Sequence, residues 1–523
     1  MKEKVYLFDS TLRDGSQAQG ISFSVNDKLK IVRKLDEIKV DYIEAGNPAS
    51  NPKDMEFFEK IKDLKLNHSK LCAFGSTRRP NTLVTEDSGL QDLLKADTEA
   101  VAIFGKSWDF HVTDIIRTSL EENLAMVEES IAYLKKHGKE VTFDAEHFFD
   151  GYKENKAYAI QVITRANEAG ADWIALCDTN GGTLPSEIQE IVNYLTKECG
   201  FKNLGIHCHN DGGLAVANSI VAVECGVRQV QGTFNGIGER CGNANLSTIA
   251  GNLQLKMGYE VLPREEVQNL MATSRYLSEV SNLNPDDREP YVGAYAFAHK
   301  GGMHIDAVKK NTKSFEHISP ESVGNERKIL MSEVAGRSTI MAMVQKVNPN
   351  IQKNSKETKS IIEKLKSLEH EGYQFEGAES SFEILVRKEL GMYTPSFKLL
   401  EYKVITDQPS VTENSALATI KLEVNGVEEV TAAAGNGPVN ALDNALRKAL
   451  SVFYEPIARM YLKDYKVRVI SGDKATSAKV RVIIESTDGK STWNTVGVSH
   501  DIIEASWEAL VDSVDYLIVK EAN

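Results

Sequence analysis

Eight short apolar runs, at 5–8, 42–44, 71–74, 100–104, 140–144, 173–177, 204–208 and 229–233, punctuate the first half of this chain, and amphipathic segments separate them. That alternation is the pattern of repeated strand–helix units around a parallel sheet. One helix start is explicit: Ser24 stands three residues before Asp27, and Leu29, Val32, Leu35 and Ile38 follow at helical spacing. Eight such units predict an α/β fold whose first domain, 1–262, is a closed (β/α)8 TIM barrel rather than an open doubly wound sheet. In such a barrel the chemistry collects at the C-terminal ends of the strands.

The polar residues that follow the runs are therefore the candidate site. They are Asp9-Ser-Thr-Leu-Arg-Asp-Gly-Ser-Gln17, Asp144-Ala-Glu-His147, Asp178-Thr-Asn-Gly-Gly182, His207-Cys-His-Asn-Asp-Gly-Gly213 and Asn235-Gly-Ile-Gly-Glu-Arg-Cys-Gly-Asn-Ala-Asn245. His207 and His209 alternate at the end of a strand, so both rings point to one face. Two imidazoles on one face make half of a metal site, and Asp211 is near enough in sequence to act behind them. The alternative is a partly exposed strand end with no metal. The glycines of 235–245 do not follow the GxGxxG spacing, and no dinucleotide unit is set up around them.

Charge and cysteine usage limit the partners. With 75 acidic against 61 basic residues the 523-residue chain carries a formal charge of −14, which argues against nucleic acid or an anionic membrane surface as partner. The six cysteines, at 72, 177, 199, 208, 225 and 241, form no CxxC pair, so neither a disulfide framework nor a thiolate zinc site is expected, and reduced core thiols are. The opening residues run straight into strand-like sequence without a signal peptide, and no apolar stretch approaches the ~18 residues of a membrane helix. A cytoplasmic protein is the expectation.

The stretches DSTLRDGSQ (9–17), HCHNDGG (207–213) and NGIGERCGNAN (235–245) together resemble the family of metal-dependent acyl-CoA condensing barrels and related lyases, which holds the isopropylmalate, homocitrate and citramalate synthases and hydroxymethylglutaryl-CoA lyase. The finer resemblance is to the citramalate branch. It is carried by DSTLRDGSQAQGISFS (9–24), GNPASNPKD (46–54), CDTNGGTLP (177–185) and SFEHISPESVGNERKILMSE (314–333).

The resemblance implies that Asp14, His207, His209 and Asn243 are metal ligands. Their mixed oxygen and nitrogen set suits a six-coordinate Mg²⁺ or Mn²⁺ that leaves places for a 2-oxo acid. It implies that Arg13 faces the keto oxygen, where charge grows during carbon–carbon bond formation, and that Thr179 holds the substrate carboxylate. The base that deprotonates acetyl-CoA is either Glu146 or His304. His304 lies in the stretch FAHKGGMHID (297–306), which has Gly301-Gly302 where the family usually has Ser-Gly. In family members this histidine reaches the site from the neighbouring subunit. Pyruvate is the implied oxo acid, and a homodimer is the implied assembly. Another 2-oxo acid, giving isopropylmalate or homocitrate, and a lyase acting on a hydroxyacyl-CoA remain the alternatives.

Beyond the barrel, 263–390 is rich in charge and helical pattern and reads as linker and lid. In 391–523 the chain repeats itself: 399–405 resembles 462–469, 418–424 resembles 478–484, and 435–439 resembles 496–500, at an offset of about 60 residues. Each copy reads as strands followed by a helix, together a pseudo-symmetric α+β unit. By resemblance this is the regulatory domain of the synthases, with isoleucine as the implied effector; a dimerisation module without a ligand is the alternative.

Overall fold

The computed structural model describes residues 3–62, 64–329, 344–345, 347–349, 351–352, 355–375, 377–406, 415–470, 478–489 and 491–521; the end of the 314–333 stretch lies outside these. The chain divides into two compact units. The first comprises Met1–Phe297 and His317–Arg327, the second Ala298–Glu316 and Lys328–Asn523.

The first unit is a closed parallel barrel of eight strands in sequence order: β1 (Tyr6–Asp9), β2 (Tyr42–Glu44), β3 (Lys70–Ser76), β4 (Ala100–Lys106), β5 (Glu140–Glu146), β6 (Trp173–Asp178), β7 (Leu204–Cys208) and β8 (Gln229–Gly232). All eight predicted runs are strands. β3 to β6 each run one or two residues further toward the rim than their apolar stretch, because a barrel strand keeps its ladder after its side chains turn polar. β8 closes on β1, with Phe8 opposite Gln231 and Asp9 opposite Gly232.

The helices pack outside through a continuous apolar layer that includes Ile31, Val32, Leu35, Phe57, Phe58, Leu134 and Ile163. The helix Val25–Glu37 starts with the predicted reciprocal cap between Ser24 and Asp27. Inside the barrel, Phe8, Tyr42, Cys72, Ala100 and Ala102 form a separate cluster with Tyr6, Phe74 and Trp173 at its margin. Below it, the Tyr42 hydroxyl donates to Glu140 at 2.5 Å, and Lys70 pairs with the same carboxylate. The interior is thus a packed floor that leaves only the C-terminal rim for chemistry.

A buried ion pair fixes the loop after β2. Lys28 reaches from its helix to Asp54 at 2.5 Å and to the carbonyl of Ala45 at 2.7 Å, while Asp54 accepts from the Asn47 amide. The charge pair is enclosed, so each member needs the other.

The second unit opens with a small parallel pair, β9 (Ala298–His299) and β10 (Lys328–Ile329), and the helix Gly302–Lys310. The helices Lys356–Glu371 and Glu379–Glu389 follow. The sequence repeat then becomes two copies of one motif. β11 (Lys398–Thr406), β12 (Ala416–Val424) and β13 (Val427–Gly435) form an antiparallel sheet followed by the helix Pro438–Leu450. β14 (Tyr461–Val469), β15 (Val480–Thr487) and β16 (Thr492–Ser499) form the second sheet, followed by Ile502–Glu521. Both copies carry a register irregularity at the same place, between Leu399 and Glu401 and between Leu462 and Asp464. Their inner faces share one core that includes Ile420, Leu422, Leu446, Ile484 and Leu510.

The cysteines are all free, but only Cys72, Cys177 and Cys208 are the expected core thiols. Cys199 and Cys241 are exposed because they sit in loops at the two ends of the barrel rather than in its strands.

Candidate metal centre

Asp14 follows β1 in a tight turn, and the rings of His207 and His209 meet it from the end of β7. Asp14 Oδ2 lies 3.3 Å from His207 Nε2 and 3.7 Å from His209 Nε2. All three side chains are buried, with one ligand atom of each within 4.8 Å of the others.

Asn243 joins them through backbone pairing. It bridges antiparallel to His209, and the Ala244 amide donates to Cys208 at 3.0 Å. The glycines of this loop permit the approach. A Cβ on Gly238 would strike the Asn243 side chain, and one on Gly242, at φ +86°, would strike the carbonyl of Gly236. The Asn243 amide nitrogen donates to the carbonyl of Ile237 at 3.2 Å, whereas its Oδ1 is buried with no hydrogen-bond partner. An orphaned amide oxygen beside a buried carboxylate and two imidazoles is a donor set that fits a divalent cation.

The electrostatics agree. Burial alone would raise the Asp14 carboxyl, but Arg13 and the two histidines hold it well below the usual carboxylate range. Burial and the neighbouring His207 push His209 down to about 4. For His207 burial opposes protonation, yet Asp14 raises its pKa above the ordinary value. His209 is therefore bare at neutral pH, whereas a proton on His207, which Asp14 favours, competes with an incoming cation for that ring. In Mn²⁺ titrations the affinity is expected to fall as the pH falls through the raised His207 pKa; a flat profile throughout would contradict this charge assignment.

Arg13 is held above Asp14. Its Nε donates to Glu44 Oε2 at 2.6 Å, its Nη1 lies 3.7 Å from Asp14, and its guanidinium sits 3.8 Å over the Phe74 ring, which in turn stacks on Phe104. Glu44 also accepts from Ser10 at 2.5 Å, and its Oε1 is buried without a partner. Glu44 escaped the sequence reading. Its signal was an acid closing a very short strand.

Thr179, just past β6, accepts from the His147 amide at 2.9 Å through its Oγ1. His147 has φ +56°, so the chain turns sharply after Glu146 to make this bond. Glu146 is ion-paired with Lys106. His304 belongs to the other compact unit, where it is exposed on the helix Gly302–Lys310 with its ring 4.0 Å from that of Phe315.

Asp211 departs from the sequence reading. It takes Arg240 in a two-pronged pair at 2.8 and 3.0 Å, while Arg240 also donates to the Thr179 carbonyl. The chain after His209 turns away from the strand, which carries Asp211 outward to the loop of Arg240. The group behind His207 is instead Gln231, 2.9 Å from its Nδ1, and behind Gln231 stands Asp144, at 2.9 Å. Burial, and then Glu44, raise the Asp144 pKa to about 7. The signal for Gln231 was the pair of glutamines alternating on β8, where a barrel interior ordinarily takes branched apolar residues.

The HMGL-like family matches residues 4–277, the homocitrate synthase post-HMGL domain-like family 291–373, and the LeuA allosteric (dimerisation) domain 376–518. The (R)-citramalate synthase of Aquifex aeolicus is 53% identical, over 100% of this chain and 99% of its own length. That of Synechocystis is 49% identical, over 98% and 96%. The 2-isopropylmalate synthase of Methanocaldococcus jannaschii is 32% identical, over 99% and 95%. The chain thus belongs to the isopropylmalate, homocitrate and citramalate synthase family of HMGL-like barrel enzymes.

Proposed function

We propose that the protein condenses acetyl-CoA with pyruvate and water to give (R)-citramalate and free CoA, an acyl transfer that converts the acyl group to an alkyl group. The observation that carries this reading is the 42–53% identity to five citramalate synthases over nearly the whole chain, against 32% to isopropylmalate synthases and to one more distant citramalate synthase.

Asp14, His207, His209 and Asn243 would hold a Mg²⁺ or Mn²⁺ ion, which when bound supplies Lewis acidity and a fixed point for the oxo acid. Thr179 binds the oxo-acid carboxylate. Its Oγ1 already accepts from the His147 amide, so the hydroxyl hydrogen is free to be donated. Arg13 places its guanidinium where the keto oxygen gathers charge. Glu146 takes a proton from the acetyl methyl, the resulting carbanion bonds to the keto carbon, and that oxygen takes up a proton. Water then splits the thioester, releasing CoA and the second carboxylate. Glu146 is preferred because its backbone is tied to Thr179 through the next residue. His304, delivered from a partner subunit, is the competing base, and comparing kcat of Glu146→Gln with that of His304→Gln separates the two.

In this reading 1–262 is the catalytic barrel, 263–390 a linker and lid, and 391–523 a regulatory domain that dimerises and takes isoleucine. The match to a LeuA allosteric domain and the duplicated sheet–helix motif support the last assignment. The enzyme works as a cytoplasmic homodimer; no described helix is long and apolar enough to cross a membrane.

The test is CoA release from acetyl-CoA by the metal-loaded protein with pyruvate, 2-oxoisovalerate or 2-oxoglutarate. Pyruvate is expected to lead in kcat/KM by roughly 10–200-fold, the discrimination available to a small apolar pocket. Preference for a longer oxo acid would move the substrate and keep the chemistry, and no CoA release with any of them would overturn the reading in favour of a lyase.

A further inference from the structure

We infer that Gln231 and Asp144 act as a pair of positioning residues that select the tautomer of His207 and thereby keep its metal-facing nitrogen bare. The inference rests on the metal-site reading above and adds residues that touch neither ion nor substrate in that reading.

The juxtaposition comes from barrel register. His207 on β7 and Gln231 on β8 are direct partners in the parallel ladder, so their side chains enter the interior side by side. Gln231 is fully buried, and Asp144 and His207 are 4% and 6% exposed, so water does not complete their hydrogen bonding. A primary amide has one accepting and one donating end. The donating end of Gln231 is engaged on one side, by Asp144 Oδ1 at 2.9 Å and more loosely by Gln229 Oε1 at 3.5 Å. Its carbonyl must then face His207, whose Nδ1 lies 2.9 Å from Oε1. A carbonyl cannot donate, so Nδ1 carries the hydrogen. In the neutral ring the lone pair is left on Nε2, the nitrogen that faces Asp14.

The opposite amide orientation would reverse every step. An NH₂ group toward Nδ1 would favour the tautomer with hydrogen on Nε2, and that nitrogen could no longer ligate. The acceptor on Asp144 decides between the two orientations from two hydrogen bonds away.

Two variants of the full-length protein test this, with Mn²⁺ affinity read from the free-ion signal in electron paramagnetic resonance and folding checked by thermal melting. Gln231→Met keeps the length and volume and removes both hydrogen-bonding ends. It is expected to weaken Mn²⁺ binding by about 10–100-fold, as loss of a group orienting a ligating histidine does. The double variant Gln231→Glu with Asp144→Asn restores the order of donors: the new amide donates to the new carboxylate, which accepts from Nδ1. It is expected to bind Mn²⁺ within a few-fold of wild type. Wild-type affinity in folded Gln231→Met, or a double variant no tighter than Gln231→Met, overturns the inference. If Gln231→Met does not fold, a folded double variant that loses affinity overturns it. Absence of Mn²⁺ binding by the wild-type protein sinks the metal reading itself, and this inference with it.

Discussion

Arg13→Lys is expected to lower kcat by roughly a hundred- to a thousandfold, the range seen when one preorganised donor to a developing oxyanion is removed. The substitution keeps the charge, so a purely electrostatic account would forecast little change. The geometry says otherwise, because the guanidinium does three things at once. It donates through Nε to Glu44, sits over the Phe74 ring, and stays within 3.7 Å of Asp14. A lysine ammonium is a compact point charge on a flexible stem and cannot both stack and fork. Once it pairs with Glu44, nothing fixes a donor over the substrate. The measurement is steady-state kinetics with the melting temperature alongside. Retention of more than about a tenth of wild-type kcat would remove Arg13 from the role given to it.

Asp14→Ala is expected to abolish Mn²⁺ binding and bring turnover below detection while the barrel stays folded. Asp14 is the one carboxylate of the buried cluster, and both imidazoles turn their Nε2 to it. Its removal leaves two neutral rings and an amide, a weak set for a hard divalent ion. Its carboxylate holds no helix cap or backbone ladder, so the cost to the fold should be small, and the apolar layer between strands and helices is untouched. Thermal melting and an ion titration on the same sample decide it. A folded variant that still turns over pyruvate would end the metal-site reading, and an unfolded one would assign Asp14 a structural role instead.

How much of this was legible in the sequence follows from what is local and what is not. The eight strands were readable because barrel strands are short, apolar and separated by amphipathic helices. The C-terminal duplication was readable because both copies kept the same alternation on their central strands. His207 and His209 stood out because two imidazoles alternate at a strand end, whereas Asp14 was singled out through the resemblance of its DSTLRDG stretch to the family. Asp144 was visible as a rim residue, whereas Glu44 and Gln231 left only faint signals in their own segments, because all three matter through neighbours on other strands. Asp211 misled for the converse reason: it stands next to the histidines in sequence, but the turn after His209 carries it away to Arg240. Thr179 was visible as a rim residue, whereas its tie to the amide of His147 depends on a backbone turn that no side chain in the sequence specifies.

The closure of β8 onto β1 sets when this centre can come into being. Asp14 belongs to the turn after the first strand of the barrel, and Asn243 to the loop beyond the last. A nascent chain therefore carries no complete cation site until the whole cylinder has been made and its two ends have met. An ion bound there would act as a clasp across that seam, and the proposed catalytic centre would be complete only at the moment the barrel is finished.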